Sequence, residues 1–179
     1  MKNIFYECKN REELQKEIFD SSGEPRIPTH RIIVPKNILL DVFEGFTYFS
    51  PSSMNYERPA NFILAREGNN PKDIIGVLNV NLFQSYNKLP DHWQLSFVEV
   101  REDKRQRGIA TQLYTKLNEI LTPGDFLVGT DSTSYGRVAN LDEKRNKLVT
   151  VCPNFDRDYD FIEYCKEEGL MYGKNLSRN

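Results

Sequence analysis

The amino-acid sequence predicts an α/β fold with a mixed sheet in a single domain. Three observations carry this expectation. Runs rich in aromatic and β-branched residues alternate with stretches whose apolar residues recur every three or four positions. A strong turn signal, Glu67-Gly68-Asn69-Asn70-Pro71, separates two of the strand-like runs. Pro and Gly otherwise punctuate the chain at the ends of these segments, and no internal repeat interrupts the pattern.

Taken in order, Asn3 to Cys8 is a short strand, and Asn10 to Phe19 sets Leu14, Ile18 and Phe19 at helical spacing before stopping at Ser21-Ser22-Gly23. After a Pro-rich turn, Pro35 to Phe46 places Ile38, Leu39, Val42 and Phe43 on one helical face, with Pro35 suited to a first turn, and predicts a second helix. Tyr48 to Pro59 is irregular. Asn61 to Arg66 and Asp73 to Phe83 form a hairpin, and His92 to Val100 is a third strand of the group. From Arg107 the period changes: Ile109, Leu113, Leu117 and Ile120, with Ala110, Tyr114 and Leu121, make one stripe of a helix stopped by Pro123-Gly124. Asp125 to Gly129 suits a strand in a sheet interior. A polar region then extends to Asp158, with room for a helix over Asn140 to Leu148. Tyr159 to Glu168 is a helix and Gly169 to Gly173 a final strand.

Composition bounds the function. The 179 residues suit one domain, and 39% hydrophobic residues, with 11 Phe and 9 Tyr, can fill a core. A net charge of -2 provides no global field for a polyanion and disfavours nucleic acid as a partner. Cys8, Cys152 and Cys165 are widely spaced without any C-x-x-C pair, and His30 and His92 are the only histidines, so neither a disulfide framework nor a metal is expected. The charged start and strand-sized apolar runs predict no signal peptide or membrane span, a cytoplasmic location, and no membrane partner, and leave self-association open.

The chemistry concentrates between Val98 and Leu113. A strand that turns sharply into a helix aims unpaired backbone N–H groups at one point, where the helix dipole adds positive potential. Such a point binds phosphate. Gly108 allows close backbone approach, Ala110 keeps the first turn narrow, and Arg101, Lys104, Arg105 and Arg107 add attraction for an anion, offset in part by Glu102 and Asp103.

The run Arg105-Gln106-Arg107-Gly108-Ile109-Ala110 resembles the R/Q-x-x-G-x-G/A signature of the GNAT acyl-coenzyme A N-acyltransferases. The apolar strand end, the charged loop and Leu113 match as well; the likeness extends from the N-terminal strand to Tyr172 and is specific over Leu95 to Leu121. It implies a GNAT-like domain over residues 1–179, with a mixed, mostly antiparallel sheet flanked by helices. Its central parallel strands, Leu95 to Val100 and Phe126 to Thr130, would splay apart. It further implies acetyl-coenzyme A as co-substrate, with pantetheine along the backbone of Val98 and Val100. The diphosphate would lie on the amides of Arg105, Gln106, Arg107, Gly108, Ile109, Ala110 and Thr111.

Direct transfer to an amine needs a base for the amine and an acid for the leaving thiolate. The resemblance makes Asp131 the base candidate. Glu99 alternates away from Val98 and Val100, and His92 and Ser96 are further alternatives. For the acid, Tyr164 lies five residues before Gly169 where the family places a Tyr four before, a register that holds Cys165 here; Tyr135 competes. The long spacer contains an inserted segment, 131–158, which with Tyr48 to Pro59 is expected to form a substrate wall. The leading function is therefore an acetyl-coenzyme A-dependent N-acetyltransferase acting on a primary amine of a small molecule or protein. A non-catalytic acyl-coenzyme A-binding module is the alternative, and transfer to a nucleobase is disfavoured by the mild acidity.

Overall fold

A computed structural model of the chain describes residues 3–34, 37–55, 58–83, 91–121, 126–130 and 170–174. Among them the element order is β1 (Phe5–Asn10), α1 (Arg11–Ile18), β2 (Thr29–Val34), β3 (Ile38–Phe43), β4 (Ala60–Arg66), β5 (Ile74–Phe83), β6 (His92–Val100), α2 (Ile109–Ile120), β7 (Phe126–Thr130) and β8 (Leu170–Lys174). The main sheet has the strand order β1-β4-β5-β6-β7-β8, and β2 with β3 makes a separate two-stranded sheet. The chain packs as two units, Met1–Asn79 with Phe97–Leu113 and Val80–Ser96 with Tyr114–Asn179, so that β5, β6 and α2 each run through both.

In the first unit, α1 begins where Asn10 can cap it. The Asn10 side chain accepts from the Glu13 N–H and the Glu13 carboxylate accepts from the Asn10 N–H, each at 2.9 Å, a reciprocal capping box. Leu14 and Ile18 fall one helical turn apart and are fully buried. β1 runs antiparallel to β4 in a register from Phe5↔Arg66 to Asn10↔Asn61. β4 is buried almost throughout, as an interior strand should be, and Arg66 at its end is held by Glu7 and Glu17. Phe49 is the hub of the core, its ring centroid 4.6 Å from Phe43, 5.4 Å from Phe46, 6.4 Å from Phe62 and 6.5 Å from Phe97.

The helix predicted over Pro35 to Phe46 is absent. Ile38–Phe43 is instead a strand paired antiparallel with Thr29–Val34, in a register from Thr29↔Phe43 to Val34↔Ile38. The four apolar residues fit a helical face, but only Val42 and Phe43 are buried; Ile38 and Leu39 are 49% and 59% exposed. Asn37, immediately before β3, has φ +58°, a left-handed conformation that suits asparagine.

In the second unit β6 and β7 are parallel, with Trp93↔Leu127, Gln94↔Val128 and Leu95↔Gly129 in register. β7 pairs antiparallel with β8 from Phe126↔Lys174 to Thr130↔Leu170. The predicted helix at Ile109 and the predicted strands after Pro90 and Pro123 are therefore present, and β8 occupies the predicted C-terminal strand. Along α2 the predicted stripe is buried at Ile109, Leu113, Tyr114 and Leu117, and at Leu121 just beyond its end, whereas Ile120 faces outward. The predicted helix over Tyr159 to Glu168 and the inserted segment 131–158 lie outside the described residues.

Candidate active site

The strand-to-helix junction lies wholly within the first unit. β6 closes at Val100, and the next amide, Arg101 N–H, donates to Ile75 O at 2.9 Å. A single 3₁₀ turn over Glu102–Lys104 follows, closed by Lys104 N–H on Arg101 O at 2.9 Å. Gln106 and Gly108 then take left-handed φ values of +63° and +74°, which turn the chain into α2. Gln112 N–H donates to Gly108 O at 3.1 Å and opens the helical ladder, so the amides of Gly108, Ile109 and Ala110 precede it. A Cβ added to Gly108 would meet nothing within 4 Å among the described residues, which leaves the space over that backbone open to them. Thr111 is half-buried in the first turn.

Beneath the junction, Gly76 of β5 lets the helix start lie close. A Cβ there would stand 3.0 Å from Ile109 Cγ2, 3.3 Å from Leu113 Cδ1 and 3.4 Å from Ala65 Cβ. Gly76→Val therefore overpacks this contact and is expected to cost about 1–3 kcal/mol of stability. Urea unfolding with an unchanged m-value would check it, and a loss below about 0.5 kcal/mol would mean that the helix start shifts freely.

The four basic residues of the loop do not simply face an anion. Arg101 grips Asp103 through Nε and Nη2, at 3.2 and 3.3 Å. Lys104 Nζ and Arg107 Nη1 both donate to Glu67, each at 2.7 Å, one to each carboxylate oxygen. Those bonds hold the Glu67 carboxyl below its usual range. Arg105 Nε donates to Val100 O at 3.1 Å, a carbonyl rather than a carboxylate. Three of the four, Arg101, Lys104 and Arg107, are thus engaged by carboxylates of the chain itself, an arrangement that ties down the loop. Glu67 was missed from sequence because it lies 37 residues before Lys104, inside a turn signal that explained it already.

Residues 35–124 match the family model described as the acetyltransferase (GNAT) family, half of the chain. The chain belongs to the GNAT acetyltransferase family. Its structure is similar to that of an aminoglycoside acetyltransferase from an uncultured soil metagenomic sample, solved with sisomicin, at 12% identity and TM-score 0.43, covering 79% of this chain and 86% of that one. It is also similar to a putative GNAT acetyltransferase from Desulfovibrio desulfuricans, at 12% identity and TM-score 0.40, covering 66% and 82%. A third is a putative streptothricin acetyltransferase from Bacillus anthracis in complex with acetyl coenzyme A, at 14% identity and TM-score 0.33, covering 80% of each chain. No curated protein matches the chain.

In this GNAT-family N-acetyltransferase Glu99 has a structural task. Phe97 and Glu99 share one face of β6, where the Phe97 ring packs on Phe49 and the Glu99 carboxylate accepts the backbone N–H groups of Thr47, Tyr48 and Phe49, the last two at 2.8 and 3.1 Å. Glu99 is 6% exposed, and three donors occupy its oxygens. Val98 and Val100 lie half-buried between and beyond, on the alternate positions of the strand. Ser96 Oγ is bonded to the Asn81 side chain. Asp131, Tyr135, Tyr164 and Cys165 lie outside the described residues, and Cys8 is a free, exposed thiol. Among the described residues no His, Cys, Asp and Glu side chains form a metal-holding group, and no helix is long and apolar enough to cross a membrane.

Proposed function

We propose that this GNAT acetyltransferase moves the acetyl group of acetyl-coenzyme A directly to a primary amine of a small molecule or protein, with residues 1–179 acting as one catalytic domain. The observation that carries this reading is the left-handed Gly108 at the start of α2, with open space above it among the described residues and the amides of Gly108, Ile109 and Ala110 ahead of the helical ladder. Residues Arg105 to Thr111 fit a diphosphate for that reason: Gly108 admits close approach, and the amides of Gly108, Ile109 and Ala110 donate to an anion at the positive end of the helix dipole. Arg105, Gln106 and Arg107 form the rim of the same turn. Pantetheine amides would bond the backbone of Val98 and Val100, beyond the last β6–β7 register pair at Leu95↔Gly129.

Bound acetyl-coenzyme A supplies an activated thioester. Asp131 accepts the amine proton, directly or through water, and Tyr135 or Tyr164 donates one to the departing thiolate, so that a C–N bond replaces the C–S bond. Segment 131–158 forms a wall of the acceptor site. Glu99 is left out of this scheme because its carboxylate is engaged by Thr47, Tyr48 and Phe49.

Incubation with acetyl-coenzyme A and a panel of primary amines, with free thiol followed over time, tests the proposal. Thiol release that depends on one class of amine is the expected result. Thermal protection by coenzyme A without release from any amine would favour a non-catalytic acyl-coenzyme A-binding module. Neither protection nor release would remove both readings.

A further inference from the structure

We propose that Glu67 is a positioning residue for the diphosphate-binding loop, acting through Lys104 and Arg107 rather than by touching the coenzyme. The inference rests on the reading that this loop receives the diphosphate. Glu67 sits immediately after β4 on a turn that is itself closed. Its N–H donates to Asp73 O at 3.0 Å, and the Asp73 carboxylate accepts from Asn70 N–H at 3.0 Å. The preceding residue, Arg66, is fully buried and donates through Nη1 to Asn70 O at 3.2 Å. The carboxylate therefore projects from a firm base.

From that base its two oxygens reach two different points of the loop. Oε2 takes Lys104, at the end of the 3₁₀ turn, and Oε1 takes Arg107, next to Gly108, each at 2.7 Å. Between these points lies Gln106 at φ +63°, a conformation that is strained for a non-glycine residue and persists only when its surroundings impose it. One carboxylate bonding both flanks of that residue is such a constraint. The Glu67 side chain is 13% exposed and Lys104 22%, against 36% for Arg107, so the Lys104 bond is the better shielded of the two and the Arg107 bond lies at the surface. The opposite role, in which Glu67 merely masks two cations that would otherwise attract the ligand, predicts the opposite sign for its removal.

The test uses the full chain as wild type, Glu67→Gln and Glu67→Asp, with two probes. Coenzyme A carries the diphosphate, whereas S-acetylpantetheine lacks it and reports the rest of the site. Positioning predicts that Glu67→Gln weakens coenzyme A binding roughly tenfold, about the loss of one charge-assisted contact network, while S-acetylpantetheine binding is unchanged. Glu67→Asp, which keeps the charge but cannot span both partners, should fall between. In a Lys104→Met/Arg107→Met background, Glu67→Gln should add nothing. Should Glu67→Gln fail to fold, the same comparison of probes is read in Glu67→Asp. Unchanged or tighter coenzyme A binding by Glu67→Gln, or equal loss of both probes, would overturn the positioning role alone. Failure of the wild type to bind coenzyme A would take down the diphosphate reading with it.

Discussion

Glutamate in place of Gly108 is expected to abolish coenzyme A binding, by about a hundredfold or more in affinity, or roughly 2.7 kcal/mol. The effect has two parts of different origin. Any side chain at φ +74° is strained by about 1–2 kcal/mol, which acts on the stability of the folded chain. The carboxylate adds a negative charge just where the amides of Gly108, Ile109 and Ala110 and the helix dipole would receive another. Gly108→Ala separates the two, because it carries the strain without the charge and, chain neighbours aside, its added Cβ meets nothing within 4 Å among the described residues. It should lose about 1–2 kcal/mol of stability but less than tenfold in affinity. Titration calorimetry on both variants, beside their unfolding curves, decides the matter. Affinity of the glutamate variant within a few fold of wild type would remove this loop from the coenzyme site.

The second large effect concerns Glu99→Gln, which is expected to destabilise the chain by about 2 kcal/mol although it replaces a single heavy atom. The carboxylate offers acceptors to all three N–H groups of Thr47, Tyr48 and Phe49. An amide keeps one oxygen and turns an NH2 donor toward other donors. Tyr48 and Phe49 N–H share Oε2 while Thr47 N–H takes Oε1, so the amide oxygen stays with the fully buried Phe49 and the NH2 meets the exposed Thr47 N–H; the bonds that remain lose the assistance of the charge. The loss should appear in urea unfolding as a lower midpoint with an unchanged slope. A loss under about 1 kcal/mol would show that the loop over residues 47–49 finds other acceptors.

The path from Val98 to Leu113 was legible in the sequence almost residue by residue. β6 ends at Val100 and α2 begins at Ile109, as alternation, the glycine and the change of period had indicated. There each local signal agreed with the tertiary outcome. The stretch Thr29 to Phe43 shows the reverse, since Ile38, Leu39, Val42 and Phe43 satisfy a helical template equally well, and the run Ile32-Ile33-Val34 with Asn37 was the better guide to a hairpin. Glu99 was correctly set on the face opposite Val98 and Val100, because strand alternation is local. That three amides of a loop some fifty residues earlier would claim its carboxylate was not legible, nor was the capture of Lys104 and Arg107 by Glu67. Pairing across the sheet depends on register and turn geometry, which no single stretch of sequence specifies. Asp131, Tyr135 and Tyr164 lie outside the described residues, so their roles rest on the family resemblance.

The ion pairs around the loop also bear on how quickly a ligand arrives. With Arg101 turned to Asp103, and Lys104 and Arg107 shared by Glu67, most of the loop's positive charge is compensated within a few ångströms. At distances beyond a Debye length, such tight pairs project little field. Encounter with a multiply charged nucleotide is then governed by diffusion and orientation rather than by long-range steering. On the proposed reading, what distinguishes the right anion would be felt only on contact, where it would meet backbone amides fixed by the turn.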